Sequence, residues 1–270
     1  MRDSAVRGWL ASARRAASLF TILPVRADGA ALRPGDGVAA LLWLPAIGAL
    51  LGAAAGLPAG AIRQWAPHAA PLGAVLAVAV LAVLTRCLHL DGLADTADGL
   101  GSRAPADQAL EIMRKSDIGP FGVVTLIIVM GADVAAAASV AGNAWSPALI
   151  LAVAAATGRV AAVHAAVRGV RPARSSGFGA LVADGVPVPA VLAWTAGVLA
   201  LGALLALTAG IPVGWVLGPQ VAALGAAWLA RRHAQRRLGG MTGDVFGALI
   251  ESATAITLAG VALWLGWRCG

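Results

Sequence analysis

From Gly185 to Ala230 the chain runs for 46 residues without a charged side chain. A run of that length decides what the chain can become. A helix needs about 20 apolar residues to cross the hydrocarbon core of a bilayer, and in lipid every backbone polar group must be satisfied within the segment. The stretch is therefore read as two crossings, broken at Gly210-Ile211-Pro212-Val213-Gly214. Val38 to Ile62 and Gln64 to Thr85 are also free of charge. With 59% hydrophobic and 12% charged residues, the composition excludes a soluble globular protein and specifies a polytopic membrane protein. The expected fold is all-α, a single integral-membrane domain over residues 1–270. An N-terminal segment, 1–37, precedes about seven transmembrane helices, near 38–60, 69–88, 119–141, 146–167, 188–209, 213–230 and 247–267.

The N-terminal segment does not read as a cleavable signal peptide, because Arg7, Arg14 and Arg15 interrupt the apolar core such a peptide needs. Trp9, Leu10, Ala13, Ala16, Ala17 and Phe20 recur at helical spacing opposite those arginines. That is the pattern of an amphipathic helix lying in the membrane surface. Basic residues alternate between the loops, as the positive-inside rule requires. The N-terminal segment has Arg2, Arg7, Arg14, Arg15, Arg26 and Arg33; the second loop Arg86, Arg103, Arg114 and Lys115; the fourth Arg168, Arg171 and Arg174; the sixth Arg231, Arg232, Arg236 and Arg237. The intervening loops and the C-terminus hold only Arg63 and Arg268. The N-terminus is thus expected in the cytoplasm and the C-terminus outside. Trp65, Trp145, Trp215, Trp264 and Trp267 then fall at outer ends, as an interfacial belt.

The net charge of +7 is explained by this topology rather than by nucleic acid, since the chain has no Tyr and only four Phe to stack bases. Cys87 and Cys269 are too few for a disulfide framework or a zinc motif. Gly48, Gly52, Gly56 and Gly60 give the first span a flat face for close helix packing.

All the chemically rich stretches fall in the cytoplasmic loops 86–118, 168–187 and 231–246. The densest is His89-Leu90-Asp91-Gly92-Leu93-Ala94-Asp95-Thr96-Ala97-Asp98-Gly99. Aspartates at i, i+4 and i+7 share a narrow arc of a helix. Such a cluster is either a solvated face or a site for a hard divalent cation, Mg2+ or Mn2+. Its position directly after a membrane-length apolar run favours the cation, because carboxylates are costly there. His89 lies about half a circumference from the arc, an orienting neighbour rather than a ligand. Glu111 to Ser116 mixes carboxylate and cation. Arg168, Arg171 and Arg174, followed by Ser175-Ser176-Gly177-Phe178-Gly179, are either topology determinants or a phosphate site. Asp244, after Thr242-Gly243, is either a fourth metal ligand or a helix cap. Glu251 follows seven residues later on the same face. In the spans, Asp133 pairs with Arg159, or either reaches into the active cavity.

At these motifs the chain resembles the cobalamin-5′-phosphate synthase, or adenosylcobinamide-GDP ribazoletransferase, family. The resemblance rests on His89 to Thr96 with Asp98-Gly99, on Leu110-Glu111-Ile112-Met113-Arg114 with Ser116 and Gly119, and on Leu238-Gly239-Gly240 with Thr242-Gly243-Asp244 and Glu251. It departs from the usual family pattern where Lys115 and Asp117 flank Ser116 with their charges exchanged. The resemblance implies transfer of α-ribazole, or its 5′-phosphate, onto adenosylcobinamide-GDP with release of GMP. It implies one or two Mg2+, with Mn2+ as a stand-in, on Asp91, Asp95, Asp98 and Asp244, and Asp91 and Asp95 as the catalytic carboxylates. Substrate contacts are expected from His89, Glu111, Arg114, Ser116, Arg159, Arg174, Gly177, Thr242, Gly243 and Glu251. The expected setting is a bacterial inner membrane with the site facing the cytoplasm, and a homo-oligomer is left open. The rivals are a CDP-alcohol phosphotransferase-like lipid synthase, whose DGxxAR pattern is not matched, and a transporter, for which no internal repeat is seen.

Overall fold

The apolar runs fold as helices, because nothing else satisfies their backbone in lipid. A computed structural model describes residues 2–25, 33–140 and 145–266. Its elements are α1 (Arg2–Phe20), α2 (Pro34–Trp65), α3 (Ala70–Leu84), α4 (Leu88–Gly101), α5 (Ala106–Ile112), α6 (Pro120–Ser139), α7 (Ser146–Ala165), α8 (Phe178–Val182), α9 (Val188–Ala209), α10 (Gly214–Leu238) and α11 (Gly243–Gly266). Among the described residues there are no strands, only isolated bridges at Val167–Val186 and Pro172–Met241. The protein is an all-α polytopic membrane protein, as expected.

Six segments are long and apolar enough to cross a membrane: Gly35–Trp65, Pro67–Leu84, Pro120–Ser139, Ser146–Ala165, Val188–Ala209 and Gly243–Leu265. The seventh expected span, 213–230, lies inside α10. That helix is less apolar than the six because Pro219 and Gln220 interrupt it, and it continues through Arg231, Arg232, Arg236 and Arg237. The three segments expected to connect the spans are themselves partly helical, as the aspartate spacing indicated for the first. Residues 86–118 contain α4 and α5, 168–187 contain α8, and the first half of 231–246 is the end of α10. The break at Gly210 is where it was expected, with that residue in the left-handed region (φ 64°).

α7 is the axle. It is apolar around its whole circumference and buried along nearly all of its length, which marks a helix enclosed by others. α2 lies against it along the glycine row: a Cβ on Gly48, Gly52 or Gly56 would run into the Arg159 side chain, the Leu151 carbonyl or the Ala148 backbone. The row is a packing surface, as its spacing indicated.

α1 docks along α2. Trp9 packs on Trp43 with centroids 4.2 Å apart and the rings tilted by 56°, the Trp43 indole N–H donates to Ser12 Oγ at 3.1 Å, and Arg15 pairs with Asp36. Trp9 and Leu10 remain more than half exposed, the free apolar edge of a membrane-surface helix. At its other end the Arg86 guanidinium donates to Leu19 O (2.6 Å) and the Ile22 N–H to Leu84 O (2.9 Å). The turn between α3 and α4, with Arg86 and Cys87 at φ 54° and 55°, is thus tied to the end of α1. Trp65, Trp145 and Trp264 are exposed. Trp267 lies outside the described residues, as do Arg26, Arg268 and Cys269.

Candidate active site

The site is built where α4 crosses the start of α11. Gly92 lies against the backbone of Asp244, so close that a Cβ there would meet Asp244 O at 2.7 Å and its Cα at 2.9 Å. Gly247, one turn further along α11, lies against His89 and Gly92. Two glycines therefore set the separation of the helices, and the first brings Asp91 and Asp244 to one place. Thr242 Oγ1 accepts the Val245 N–H at 3.2 Å, which caps α11. The cap is Thr242, and the alternative reading of Asp244 as the cap is set aside.

Asp91, Asp95 and Asp244 act on one another. Burial, then the charges of Asp91, Asp244 and Asp98, push the Asp95 carboxyl up to about 7, with Arg174 opposing. Arg174 enters from the loop before α8, its guanidinium donating to Leu110 O at the end of α5. An all-oxygen set of mutually repelling carboxylates suits a hard divalent cation. Among the described residues no three His, Cys, Asp or Glu side chains stand close enough to form a closed metal cage. The carboxylates still fit Mg2+, which keeps several waters and is bound by one or two carboxylates plus substrate phosphates.

Asp98 departs from expectation. It is on the predicted arc but buried, and both its oxygens are engaged: the Gly119 N–H donates to Oδ2 at 2.7 Å and the Gly122 N–H to Oδ1 at 2.9 Å. These are orphan N–H groups of the first turn of α6, where a carboxylate is also favoured by the helix dipole. Asp98 pins α6 to α4.

The raised Asp95 gives a measurable sign. Unfolded, this carboxyl ionises near the ordinary value of about 4; folded, it keeps its proton until about 7. The group therefore lowers stability progressively as pH rises between those values, with a constant penalty above. Metal-free protein is expected to melt lower at pH 8 than at pH 5, and Mg2+ to raise the midpoint more at pH 8. Equal Mg2+ shifts at both values would contradict a cation bound by these carboxylates.

A cavity of 370 Å3 opens beside this crossing, reached by Asp91, Arg174, Gly177, Thr242, Gly243 and Asp244. His89 is also on its wall. The Arg159 guanidinium stands 3.3 Å from His89 Nδ1 and donates to Ala155 O. His89 Nε2 is buried and has no partner among the described residues. Glu251 Oε1 stands 3.6 Å from Nδ1. The expected Asp133–Arg159 pair does not form. Arg159 serves His89, and Asp133 instead shares a 20 Å3 cavity with Glu251, room for about one water.

Residues 12–262 match the cobalamin-5-phosphate synthase family. This chain belongs to that family. It is 42% identical over 266 residues to an adenosylcobinamide-GDP ribazoletransferase of Frankia casuarinae, covering 93% of this chain and 94% of the relative. A protein of the same name from Bradyrhizobium diazoefficiens is 38% identical over 255 residues, with 94% of each chain covered. One from Brevibacillus brevis is 33% identical over 258 residues, covering 90% and 94%. No solved structure matches the chain.

As a cobalamin-5-phosphate synthase relative, the chain keeps some expected site residues together and separates others. Asp95 is one turn along α4 from Asp91, beyond the cavity wall. Glu111, Arg114 and Ser116 are exposed and outside the cavity lining. Arg159, 1% exposed, lies beneath the wall rather than on it, so its expected contact with phosphate is replaced by the one to His89. Glu251 is buried below the cavity in the same network. Sequence reasoning missed the apolar wall, Leu19 and Phe20 from α1, Leu41 and Leu44 from α2, Phe178 and Phe246. The available signal was adjacency, since Phe178 follows Gly177 and Phe246 is two residues after Asp244.

Proposed function

We propose that this protein joins α-ribazole, or α-ribazole 5′-phosphate, to adenosylcobinamide-GDP and releases GMP, completing the nucleotide loop of a cobalamin. The ribose 3′-oxygen forms a bond to the cobinamide-linked phosphorus, and the bond from that phosphorus to the GMP oxygen breaks. The hydroxyl proton passes to a carboxylate. The observation that carries this reading is the apposition of Asp91 on α4 with Asp244 on α11, joined through the Gly92 contact.

Phosphoryl transfer needs alignment and charge neutralisation more than covalent help from the protein. Asp91 and Asp244, with Asp95 beside them, would hold Mg2+, which when bound neutralises the charge of the diphosphate. Arg174, on the same cavity, would grip a phosphate oxygen, and Gly177, with φ 87° and open space around it, leaves its backbone approachable. One of these carboxylates would take the hydroxyl proton. The basic residues Arg86, Arg174 and Arg231 belong to the loops and helix ends counted as cytoplasmic, which supports a site facing the cytoplasm of a bacterial inner membrane.

The test uses purified protein in nanodiscs. GMP and the joined corrinoid are expected in equal amounts, only with both substrates and Mg2+, and are lost on chelation. GMP formed without α-ribazole would make the protein a hydrolase. Corrinoid carried across vesicles without GMP would make it a transporter.

A further inference from the structure

Three of the chain's four phenylalanines meet on one wall of the cavity. Phe20 from the end of α1 and Phe178 from α8 are 5.3 Å apart at 83°, and Phe178 and Phe246 from α11 are 5.9 Å apart at 81°. This is a continuous edge-to-face row, and all three rings line the same cavity as Asp91, Asp244 and Arg174. Leu41, Leu44 and Met241 complete that wall, and none of these six side chains offers a strong hydrogen-bonding group. The polar groups come from α4, the loop before α8 and the first turn of α11.

Such a cavity fits a molecule with one planar apolar face and one polar, hydroxyl-bearing part. Its 370 Å3 is at the small end of ligand sites, enough for a nucleoside and far too little for a corrinoid with its nucleotide tail. Of the two substrates of the transfer, only the acceptor can enter it whole; the donor can bring no more than its GDP end to the carboxylates and Arg174, and the polar edge of guanine would find no partner on the phenylalanine wall. We propose that this cavity is the acceptor subsite: the benzimidazole base of α-ribazole lies against the Phe20–Phe178–Phe246 row, and its ribose is directed to the carboxylates. The assignment rests on the transfer reading above. It also gives a specificity. A purine base carries a polar edge that would be buried against this wall without partners, which an apolar pocket disfavours by roughly ten- to a hundredfold. The site therefore selects an apolar bicyclic base over adenine.

The experiment is calorimetric binding of α-ribazole, and of the corresponding adenine α-nucleoside, to the full chain in nanodiscs, beside steady-state turnover. Wild type is expected to bind α-ribazole one to one, at least about tenfold more tightly than the adenine nucleoside. Phe178→Leu keeps the bulk and loses the ring, and is expected to weaken α-ribazole about tenfold. Phe178→Tyr should restore most of the affinity. In turnover, Phe178→Leu should raise KM for α-ribazole and leave KM for adenosylcobinamide-GDP in place. Phe20→Leu, at the end of the row, is a second variant if the first fails size-exclusion analysis.

Unchanged α-ribazole affinity in both Leu variants, or a rise in KM for adenosylcobinamide-GDP instead, overturns the subsite. So does a wild-type protein that binds no α-ribazole and holds a co-purified lipid in the cavity. Phe178-dependent binding without any GMP release would remove the transfer reading and leave the subsite standing. GMP release with binding insensitive to the rings would do the reverse.

Discussion

Asp91→Asn is expected to lower GMP release on the order of a thousandfold, the scale on which a preorganised charge at a transferring group acts, while the protein stays folded in the membrane. The two effects separate because of where Asp91 sits. Its side chain is exposed at the α4–α11 crossing, so the amide replaces the carboxylate without leaving a cavity or burying an unpaired group, and substitutions of that kind fall within about 0.5 kcal/mol. The lost charge is also one of those that push the Asp95 carboxyl up. Removing it relieves repulsion, and the metal-free thermal midpoint above pH 7 should rise slightly. Asp244→Asn should share the loss of turnover, and each variant should lose most of the Mg2+-dependent thermal shift. An Asp91→Asn protein that keeps more than about a tenth of wild-type turnover would remove Asp91 from the chemistry, because no such residual is consistent with a ligand of the ion on the diphosphate.

The architecture was legible because a bilayer leaves so few options. Once Gly185 to Ala230 carries no charge, helices follow, and the glycine row of α2 announces a close neighbour without naming it. The neighbour, α7, is a tertiary fact. The same limit explains Asp98. Helical spacing tells which face a side chain is on, not what stands opposite. Gly119 and Gly122, twenty-odd residues later, bring N–H groups to that face and take the carboxylate for structure. It also explains Arg159, for which Asp133 was a partner of plausible depth in sequence; the rotation of α7 turns the guanidinium to α4 and His89.

The phenylalanine wall was invisible for a different reason. An aromatic ring beside leucines reads as core, and only the empty volume next to it distinguishes a lined site from a packed one. The acidic motif was read for its carboxylates, while its glycine turned out to be what lets the second helix approach.

That glycine gives the other large expected effect. Gly92→Ala adds one methyl group, which would stand 2.7 Å from Asp244 O and 2.9 Å from its Cα. Both are backbone atoms of a helix start, with no flexible side chain to turn aside, so α4 and α11 must separate by several tenths of an ångström or more. Overpacking of this kind costs about 1–3 kcal/mol, and a misplacement near 1 Å between groups that must act together costs about a hundredfold in rate. Turnover in Gly92→Ala is expected to fall by that order, with both aspartates intact and with a smaller thermal shift on adding Mg2+. Gly131→Ala is the matched control: it is exposed on α6 with nothing within 4 Å of the added Cβ, and alanine is the better helix former by about 1 kcal/mol. It should melt at or above the wild-type temperature with full activity. Were Gly92→Ala to behave like Gly131→Ala, the closeness of the two helices would be incidental. Asp91 and Asp244 would then not need each other, and the shared ion would lose its physical basis.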